Sequence, residues 1–600
     1  MLSRYRRPLF ISFVFYVLLI YFLTPFILND KKPDGSIFCG KVLSYPAETK
    51  RDSFFYFKSD NQKFIVRTKK GSELDIYDSV CFKATYREPK NFNPVGSFDW
   101  KNYLKYKNIF YELDISDIIL VKPATFPFSY ASNVRARIKN LFKEHFKGDD
   151  LSVVSGIFLG EKQELSKDLR KAIIDSGAMH LLVASGSNIS YIVGMIIFFL
   201  LAIKINSKRA KFIAVIISSV YAILVGLDPP ITRAYIMLVI GFLAYSLKRN
   251  TDMFQILVLC GFLIIIFNPF LIYDKGFEMS FLSVYGIITG CSNYFKHINI
   301  SNFFNLKRFK KYHKLIDFLN SVLFTIAVTF FAQISILPLL ITMFYKISMV
   351  SVISNLVLIP LSFIIMVAVS IWFIINPFEF INKLVYLVIS ILVKLFIKLS
   401  YFFASFKYSV IYFSFPNEMI LLFTAITILL ILHLPVINIK SVYTKFFVMF
   451  IFTGAVLSAG WNNKIDEKDI IFTKWNRNSY ITFRDNSVYL IDPFVESDKI
   501  INAIFYTGHS NIDYIMITGV WGFNKETVEE LEDVFDIGQI YRPLWICENK
   551  SKNTCVFPGE NYGIFSVRFS NRYGYFNRYS RIEYCFKDKC YPQIIKQKKH

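Results

Sequence analysis

Several polar or ionisable side chains interrupt the long apolar stretches of this chain. A charged side chain near the centre of a bilayer costs about 2.5–3.5 kcal/mol, so it normally faces a cavity or a partner. Side chains of this kind could line the route of a polar solute through a membrane. Packing is the alternative, because Gln333 and Asn355 could bond between helices and Arg233 could pair with Glu278. The candidates are His180, Ser185, Asn188, Arg233, Asp274, Glu278, Gln333 and Asn355.

Two pairs of these candidates have helical spacing. Asp274 and Glu278 are four residues apart and should share one helical face. His180 and Asn188 are eight residues apart and should do the same. The spacing therefore predicts that each pair faces one side of the pathway.

A second group of candidates combines positive charge with aromatic rings near the N-terminus. Lys58, Lys63 and Arg67 are interleaved with Phe55 and Phe57. Modules that hold single-stranded nucleic acid use basic residues along the backbone and aromatic rings against the bases. The pattern predicts such a surface, although the aromatics could instead form the core of a barrel.

The composition limits the classes of protein that the elements can build. The chain has 600 residues, of which 54% are hydrophobic, and a formal net charge of +24. The 64 Phe and 36 Tyr residues exclude a disordered chain. The mean hydropathy of +0.40 argues against an ordinary cytosolic enzyme. Few charges that are mostly positive indicate a membrane protein with basic loops, a protein that handles a polyanion, or both.

The apolar runs predict about eleven membrane spans. The first covers Leu9 to Leu28 and follows three arginines. It is predicted to be an uncleaved anchor with a cytoplasmic N-terminus. Nearly all basic loops then fall on the cytoplasmic side, which places the regions before and after the core outside. The other spans are expected at 181–203, 212–227, 231–247, 253–268, 271–291, 316–343, 348–375, 383–403, 417–435 and 444–460.

The same pattern predicts the fold class and five regions. The fold class is a polytopic α-helical membrane protein with an N-terminal β domain, for which an OB-like barrel is one option, and a C-terminal α/β or α+β domain. Cys39 and Cys81 lie in the outer β region and could form a disulfide or remain free thiols. The regions are an anchor (1–30), the outer β domain (31–125), an amphipathic helical region (130–178), the helical core (179–460) and the C-terminal domain (461–600).

An ordered set of short motifs resembles the ComEC competence-protein family. Each motif alone is weak, but their order and spacing match over about residues 35–545. The motifs include Gly156-Ile-Phe-Leu-Gly-Glu161, His180-Leu-Leu-Val-Ala-Ser185-Gly186-Ser-Asn188, Pro230-Ile-Thr-Arg233-Ala234, Asp274-Lys-Gly276-Phe-Glu278, Gln333 through Pro338, and Ser354-Asn355 through Pro360.

The resemblance implies a channel that passes transforming DNA into the cytoplasm as a single strand. It also implies an OB-like outer domain, a competence-type core and a metallo-β-lactamase-like C-terminal domain. In that last domain the strand ending at Thr518 should precede a histidine-rich metal motif, but Gly519-Val-Trp-Gly-Phe-Asn524 follows instead. The domain has only His509 and His600 as histidines. We therefore expect a degenerate domain without metal, cofactor or nuclease activity.

These observations together predict a multi-pass inner-membrane transporter rather than an enzyme. The expected partners are single-stranded DNA, the lipid bilayer, an outside DNA receptor, a separate nuclease, and a cytoplasmic helicase or single-strand-binding protein. One alternative is a membrane-anchored hydrolase acting outside on a phosphodiester or cell-wall substrate. Another is a polytopic scaffold that only tethers a DNA-binding domain.

Overall fold

The computed structural model of this protein combines an N-terminal β-barrel, a large helical part and a C-terminal mixed sheet. It describes residues 8–27, 32–48, 52–60, 62–69, 74–89, 99–161, 165–183, 185–226, 229–248, 252–294, 313–375, 379–413, 425–429, 432, 469–474, 477–484, 487–518, 524–543, 553–556, 566–569, 582–586 and 589–591.

Five strands close into a barrel near the N-terminus, which confirms the OB-like expectation. The strands neighbour one another in the order β1–β3–β4–β6–β5 and back to β1, and only β4 and β6 run parallel. This is the closed five-stranded arrangement of an OB-like barrel. The bounds are Ile37–Val42 (β1), Asp52–Ser59 (β3), Gln62–Lys69 (β4), Ser79–Arg87 (β5) and Ile109–Lys122 (β6), while the short Ala47–Glu48 (β2) pairs with β3.

Alternation along the strands fills this barrel. In β3 every second side chain points inward, so Phe55 and Phe57 are fully buried together with Phe82 of β5. A disulfide joins Cys39 to Cys81 where β1 and β5 lie directly opposite.

A short helix, Trp100–Tyr106 (α2), covers the outer face of β3 and β4. Asp99 caps it, because its carboxylate accepts the backbone N–H of Asn102 at 2.9 Å. Leu104 is fully buried against Ile65 and Ile109. The helix therefore packs on the barrel through an apolar contact of its own.

Helices occupy every apolar run that the sequence predicts before residue 404, and further helices form the amphipathic region. They are Pro8–Ile27 (α1), Phe128–His145 (α3), Gly148–Leu159 (α4), Lys167–Asp175 (α5), Gly186–Ala202 (α6), Ser207–Val225 (α7), Pro229–Ser246 (α8), Met253–Phe267 (α9), Lys275–Tyr294 (α10), His313–Phe344 (α11), Ser351–Ile375 (α12) and Glu379–Ala404 (α13). Short 3-10 turns cover Met179–Leu181 and Pro269–Tyr273.

Within the residues that the structure describes, three helices are long and apolar enough to cross a membrane. They are the segments Asp317–Phe344, Ser351–Phe373 and Asn382–Ala404. Several shorter apolar helices accompany them, at Pro8–Thr24, Gly186–Ala202, Pro230–Ser246 and Met253–Phe267. The expected spans at 417–435 and 444–460 lie almost wholly outside the described residues, so the count of eleven stays a prediction.

Helices α10 and α11 approach closely along two glycines. A Cβ added at Gly286 would lie 2.3 Å from Ser335 Oγ and 2.4 Å from the Phe331 carbonyl oxygen. One added at Gly290 would lie 2.2 Å from the Phe331 ring. The Gly-x-x-x-Gly spacing is typical of close helix pairs in membranes, and it is not among the features predicted above from the sequence.

The C-terminal unit is built on a six-stranded mixed sheet, ordered β14-β13-β12-β11-β10-β9. Strands β9 to β11 are antiparallel and β11 to β14 are parallel. The elements are Asp469–Lys474 (β9), Arg477–Arg484 (β10), Ser487–Ile491 (β11), Ser497–Tyr506 (α14), Asn511–Met516 (β12), Lys525–Glu532 (α15), Asp536–Pro543 (β13) and Asn553–Val556 (β14). A separate antiparallel sheet follows, with strands Ser566–Phe569, Ile582–Phe586 and Lys589–Tyr591.

The C-terminal unit contacts the helical part through a small two-stranded sheet. Its strands are Lys346–Ser348 (β7) and Val410–Tyr412 (β8), which follow α11 and α13. Tyr412 stacks on Phe505 at 5.5 Å between ring centroids, and Tyr345 is buried in the C-terminal core. These contacts place the C-terminal unit against the ends of those two helices.

Candidate functional site

A buried arginine stands at the centre of the candidate site. Arg233 lies in the first turns of α8 and is only 3% exposed. Its Nη2 donates to the carbonyl oxygen of Gly276 at 2.9 Å, whereas Nε and Nη1 are buried and have no hydrogen-bond partner among the residues that the structure describes. The Phe277 ring centroid lies 5.6 Å from its Cζ. A buried unpaired donor costs about 1–3 kcal/mol, and more when it is charged. Burial of this arginine therefore lowers the free energy of unfolding.

The two acidic candidates lie at the start of α10, beside this arginine. Asp274 precedes the helix and accepts the Phe277 backbone N–H at 2.7 Å, as an N-cap does. Glu278 forms an ion pair with Lys275 at 2.9 Å on its own helix. The pairing of Arg233 with Glu278 that the sequence left open is therefore not formed.

Asn188 is buried inside the helical part. It is 2% exposed, and its Nδ2 donates to the Ile157 carbonyl oxygen at 3.2 Å. Ser185 Oγ lies 3.2 Å from Asn188 Oδ1. These contacts tie the start of α6 to the end of α4.

His180 and Asn188 do not share one helical face. His180 lies in the Met179–Leu181 turn, and α6 begins only at Gly186. The prediction from their spacing is wrong because the two residues lie in separate helical segments. The His180 ring remains exposed, and its Nδ1 lies 3.0 Å from the Gly177 carbonyl oxygen.

Gly177 docks this turn onto the start of α12. Its φ of +77° lies in the left-handed region, and an added Cβ would lie 2.3 Å from Ser351 Cβ. Gln333 Nε2 donates to Ser351 Oγ at 2.6 Å, so Gln333 bonds between helices. Asn355, one turn further, is 3% exposed, and no described residue forms a hydrogen bond with its Oδ1.

The structure thus arranges the core candidates in two neighbouring groups. Arg233, Asp274 and Glu278 surround the start of α10. Ser185 and Asn188 lie beside this group. The start of α6 packs closely on α8, since a Cβ added at Gly186 would lie 3.1 Å from the Cβ of Ala234, the residue after Arg233. The second group contains His180, Gln333 and Asn355 around the Gly177 turn.

The aromatic part of the predicted nucleic-acid surface is wrong. Phe55 and Phe57 are fully buried in the barrel because they occupy the inward positions of β3. The outward positions hold Phe54 and Tyr56, and α2 packs against both of them. Neither buried phenylalanine can stack on a base in this conformation.

The basic candidates of the barrel have different roles. Arg67 pairs at 3.2 Å with Glu112, whose side chain is 1% exposed. Arg87 Nε and Trp100 Nε1 bond to the same carboxylate at 3.1 and 2.9 Å. Arg67 is thereby part of a structural network, whereas Lys58 and Lys63 are not.

In the C-terminal unit, two polar residues meet where the parallel strands end. Asp492 is fully buried and accepts the Thr518 backbone N–H at 2.8 Å and the Thr518 hydroxyl at 2.6 Å. His509 lies before the opposite end of β12 and stacks on Phe483 at 4.7 Å. Five strand steps of roughly 3.3 Å separate the two ends, so His509 cannot reach the Thr518 edge.

No set of three or more His, Cys, Asp or Glu side chains is placed to hold a metal ion in the part of the chain that the structure describes. The segment 519–523, where the metal motif was expected, lies outside that part.

Comparison with known proteins relates the helical centre of the chain to competence proteins. The chain is 22% identical over 278 residues to the ComE operon protein 3 of Bacillus subtilis (strain 168), which is 46% of this chain and 33% of that protein. It is 28% identical over 158 residues to an uncharacterised protein of Aquifex aeolicus (strain VF5), which is 26% of this chain and 37% of that protein.

The chain therefore spans about a third of the length of these two relatives. No solved structure matches it. The family model described as Competence protein matches residues 157–436, a segment that contains every core candidate. The resemblance to the competence proteins is thereby confirmed for the helical centre of the chain, residues 157–436.

Proposed function

We propose that this protein is an inner-membrane channel that admits single-stranded DNA during natural competence. The observation that carries the proposal is the buried, incompletely bonded Arg233 inside the competence-protein segment. A guanidinium is always charged and matches phosphate oxygens well. A buried arginine with donors that lack partners among the described residues is best explained by a ligand that pairs with it during transport.

The contacts of the two β-rich units support a single outer side. The barrel reaches the turn before α10 through the Tyr106–Tyr273 stack. The C-terminal unit reaches the ends of α11 and α13 through Tyr345 and Tyr412. Where successive helices cross a membrane in alternate directions, these helix ends lie on the same side. We propose that this side is extracytoplasmic, with the N-terminus in the cytoplasm.

The C-terminal unit is proposed to be a degenerate metallo-β-lactamase-like domain. Its mixed sheet ends in Asp492 and Thr518 at the edge where that fold would hold metal. The residues after Thr518 include no histidine up to Asn524. A separate nuclease, an outside DNA receptor and a cytoplasmic helicase or single-strand-binding protein complete the proposed pathway.

Uptake of labelled DNA into cells that lack this protein tests the channel proposal. Surface-bound and internalised DNA are scored separately, before and after treatment with external nuclease. We expect normal surface binding and loss of internal DNA, restored by the full chain. Normal internalisation without the protein would refute the proposal.

Added metal should not activate the C-terminal unit. We expect the purified full chain, supplied with manganese or zinc, to leave single- and double-stranded DNA intact, since zinc chemistry needs converging ligands. The measurement is the length of end-labelled DNA on a denaturing gel, with a metal-dependent nuclease as positive control. Cleavage that needs metal and disappears with Asp492→Ala would favour the hydrolase alternative instead.

A further inference from the structure

Two lysines face each other across the hairpin of β3 and β4. Lys58 and Lys63 are directly opposite in the strand register. Like charges in this position destabilise a sheet. Burial lowers the pKa of the Lys63 ammonium, and the nearby positive charges of Lys58 and Lys107 lower it further. The barrel therefore concentrates positive charge at this point.

The third lysine comes from the end of α2. Lys107 Nζ lies 4.4 Å from the ring centroid of Tyr103 and 5.1 Å from that of Tyr56. It also lies 3.5 Å from the Tyr56 hydroxyl. Cation–π contacts of this kind fix an ammonium without neutralising it. Lys107 thus adds an oriented positive charge to the pair.

These three lysines, here called the junction lysines, lack an acidic counterpart at contact distance. Among the described residues, no carboxylate oxygen lies within 4.0 Å of any of their ammonium nitrogens. On the same barrel, Arg67 and Arg87 both pair with Glu112. The contrast indicates that the arginines serve the fold, whereas the lysines leave charge available.

The junction lysines also lie where the barrel meets the helical part. Tyr106 of α2 stacks on Tyr273 with ring centroids 4.3 Å apart and planes 12° apart. Burial alone would lower the pKa of Lys107, but Tyr56, Tyr103 and Asp274 together raise it. The cluster is therefore next to the start of α10. The Gly276 carbonyl oxygen in that helix also accepts a hydrogen bond from Arg233 of α8.

We propose that the junction lysines, Lys58, Lys63 and Lys107, form a phosphate-binding site for the backbone of single-stranded nucleic acid. This inference rests on the proposed function. It places the first contact between the incoming strand and the protein outside the helical core. The site is close to Asp274, and the helix that follows Asp274 contacts Arg233 through the Gly276 carbonyl oxygen. Lys107 is not among the candidates predicted from the sequence, although the aromatic and basic run Trp100–Lys107 is a usable signal.

Binding of a labelled single-stranded oligonucleotide to the full chain in lipid nanodiscs tests this site. We compare the wild type with the triple variant Lys58→Gln, Lys63→Gln, Lys107→Gln, and use Lys83→Gln, an exposed lysine of β5, as the matched control. Each lost phosphate contact should reduce the salt dependence of single-strand binding by about 0.7 in log–log slope. We expect a slope smaller by about 2, at least about tenfold weaker binding near 0.1 M salt, and no change for Lys83→Gln.

Inorganic polyphosphate of matched charge serves as the competing ligand. Lysine-dependent binding of either ligand supports a phosphate site, and the ratio of the two affinities identifies the preferred source. An unchanged slope and affinity in the triple variant, with thermal stability equal to the wild type, would overturn the proposal. The channel proposal would still stand if that variant took up DNA normally while an Arg233 variant did not.

Discussion

Replacing Arg233 with methionine should abolish DNA internalisation without destabilising the protein. Methionine keeps much of the side-chain volume and removes the charge together with its two unpaired donor positions. Replacing a buried charge with a well-packed apolar group is often neutral or stabilising. We therefore expect an equal or higher melting temperature than the wild type, which few loss-of-function substitutions would show.

The loss of uptake follows from the energy of one charged contact. A hydrogen bond to a charged group contributes about 1.5–3 kcal/mol, and each 1.4 kcal/mol is about tenfold. Internal DNA should fall by about ten- to a hundredfold or more, while DNA bound at the surface stays constant. Labelled DNA uptake in cells with matched protein levels is the measurement.

Two control variants separate this role from positive charge in general. Arg209→Ala removes an exposed arginine of α7 and should leave uptake unchanged. Glu278→Gln should reduce uptake less than Arg233→Met, because Glu278 is paired with Lys275 on its own helix. Wild-type uptake in Arg233→Met would contradict the assignment, and so would a loss fully explained by a lower melting temperature.

The second large effect is expected at the contact between α10 and α11. Gly286→Ala adds a Cβ 2.4 Å from a backbone carbonyl oxygen, that of Phe331, which cannot rotate away. The same Cβ would displace Ser335 Oγ, which lies 2.9 Å from the Leu282 carbonyl oxygen. Overpacking of this kind costs about 1–3 kcal/mol. The melting temperature of the detergent-solubilised protein should therefore fall clearly.

Gly241→Ala is the matched control for this prediction. Gly241 lies in α8, and no atom is within 4 Å of an added Cβ. Alanine is favoured over glycine in a helix by up to about 1 kcal/mol, so this variant should be as stable as the wild type or more stable. Equal melting temperatures for the two variants would show that α10 and α11 are not in close contact.

The elements were largely predictable because they depend on local pattern. Apolar length predicted a helix at 231–247, and the structure has Pro229–Ser246. Alternation of Val80, Phe82, Ala84 and Tyr86 predicts a strand with one buried face. The first three point inward in β5, whereas Tyr86 is exposed. Periodicity is a property of neighbouring residues, so a single sequence carries it.

The site was less predictable because it depends on tertiary contacts. The sequence identifies Arg233 as a polar residue in an apolar run. It does not show that the Gly276 carbonyl oxygen accepts a hydrogen bond from this arginine, or that Nε and Nη1 have no partner among the described residues. The basic and aromatic run around β3 was recognised, whereas strand direction turned Phe55 and Phe57 inward. The packing of α2 on the barrel then covers Phe54 and Tyr56, which occupy the outward positions of β3.

Transport into sealed vesicles tests the central claim most directly. The purified full chain is reconstituted in liposomes that contain a single-strand-binding protein, and labelled oligonucleotide is added outside. The measurement is the amount of label protected from external nuclease. We predict protected single-stranded DNA with the wild type and little with Arg233→Met. Equal protection in vesicles with wild-type protein, with Arg233→Met and without protein would contradict the account.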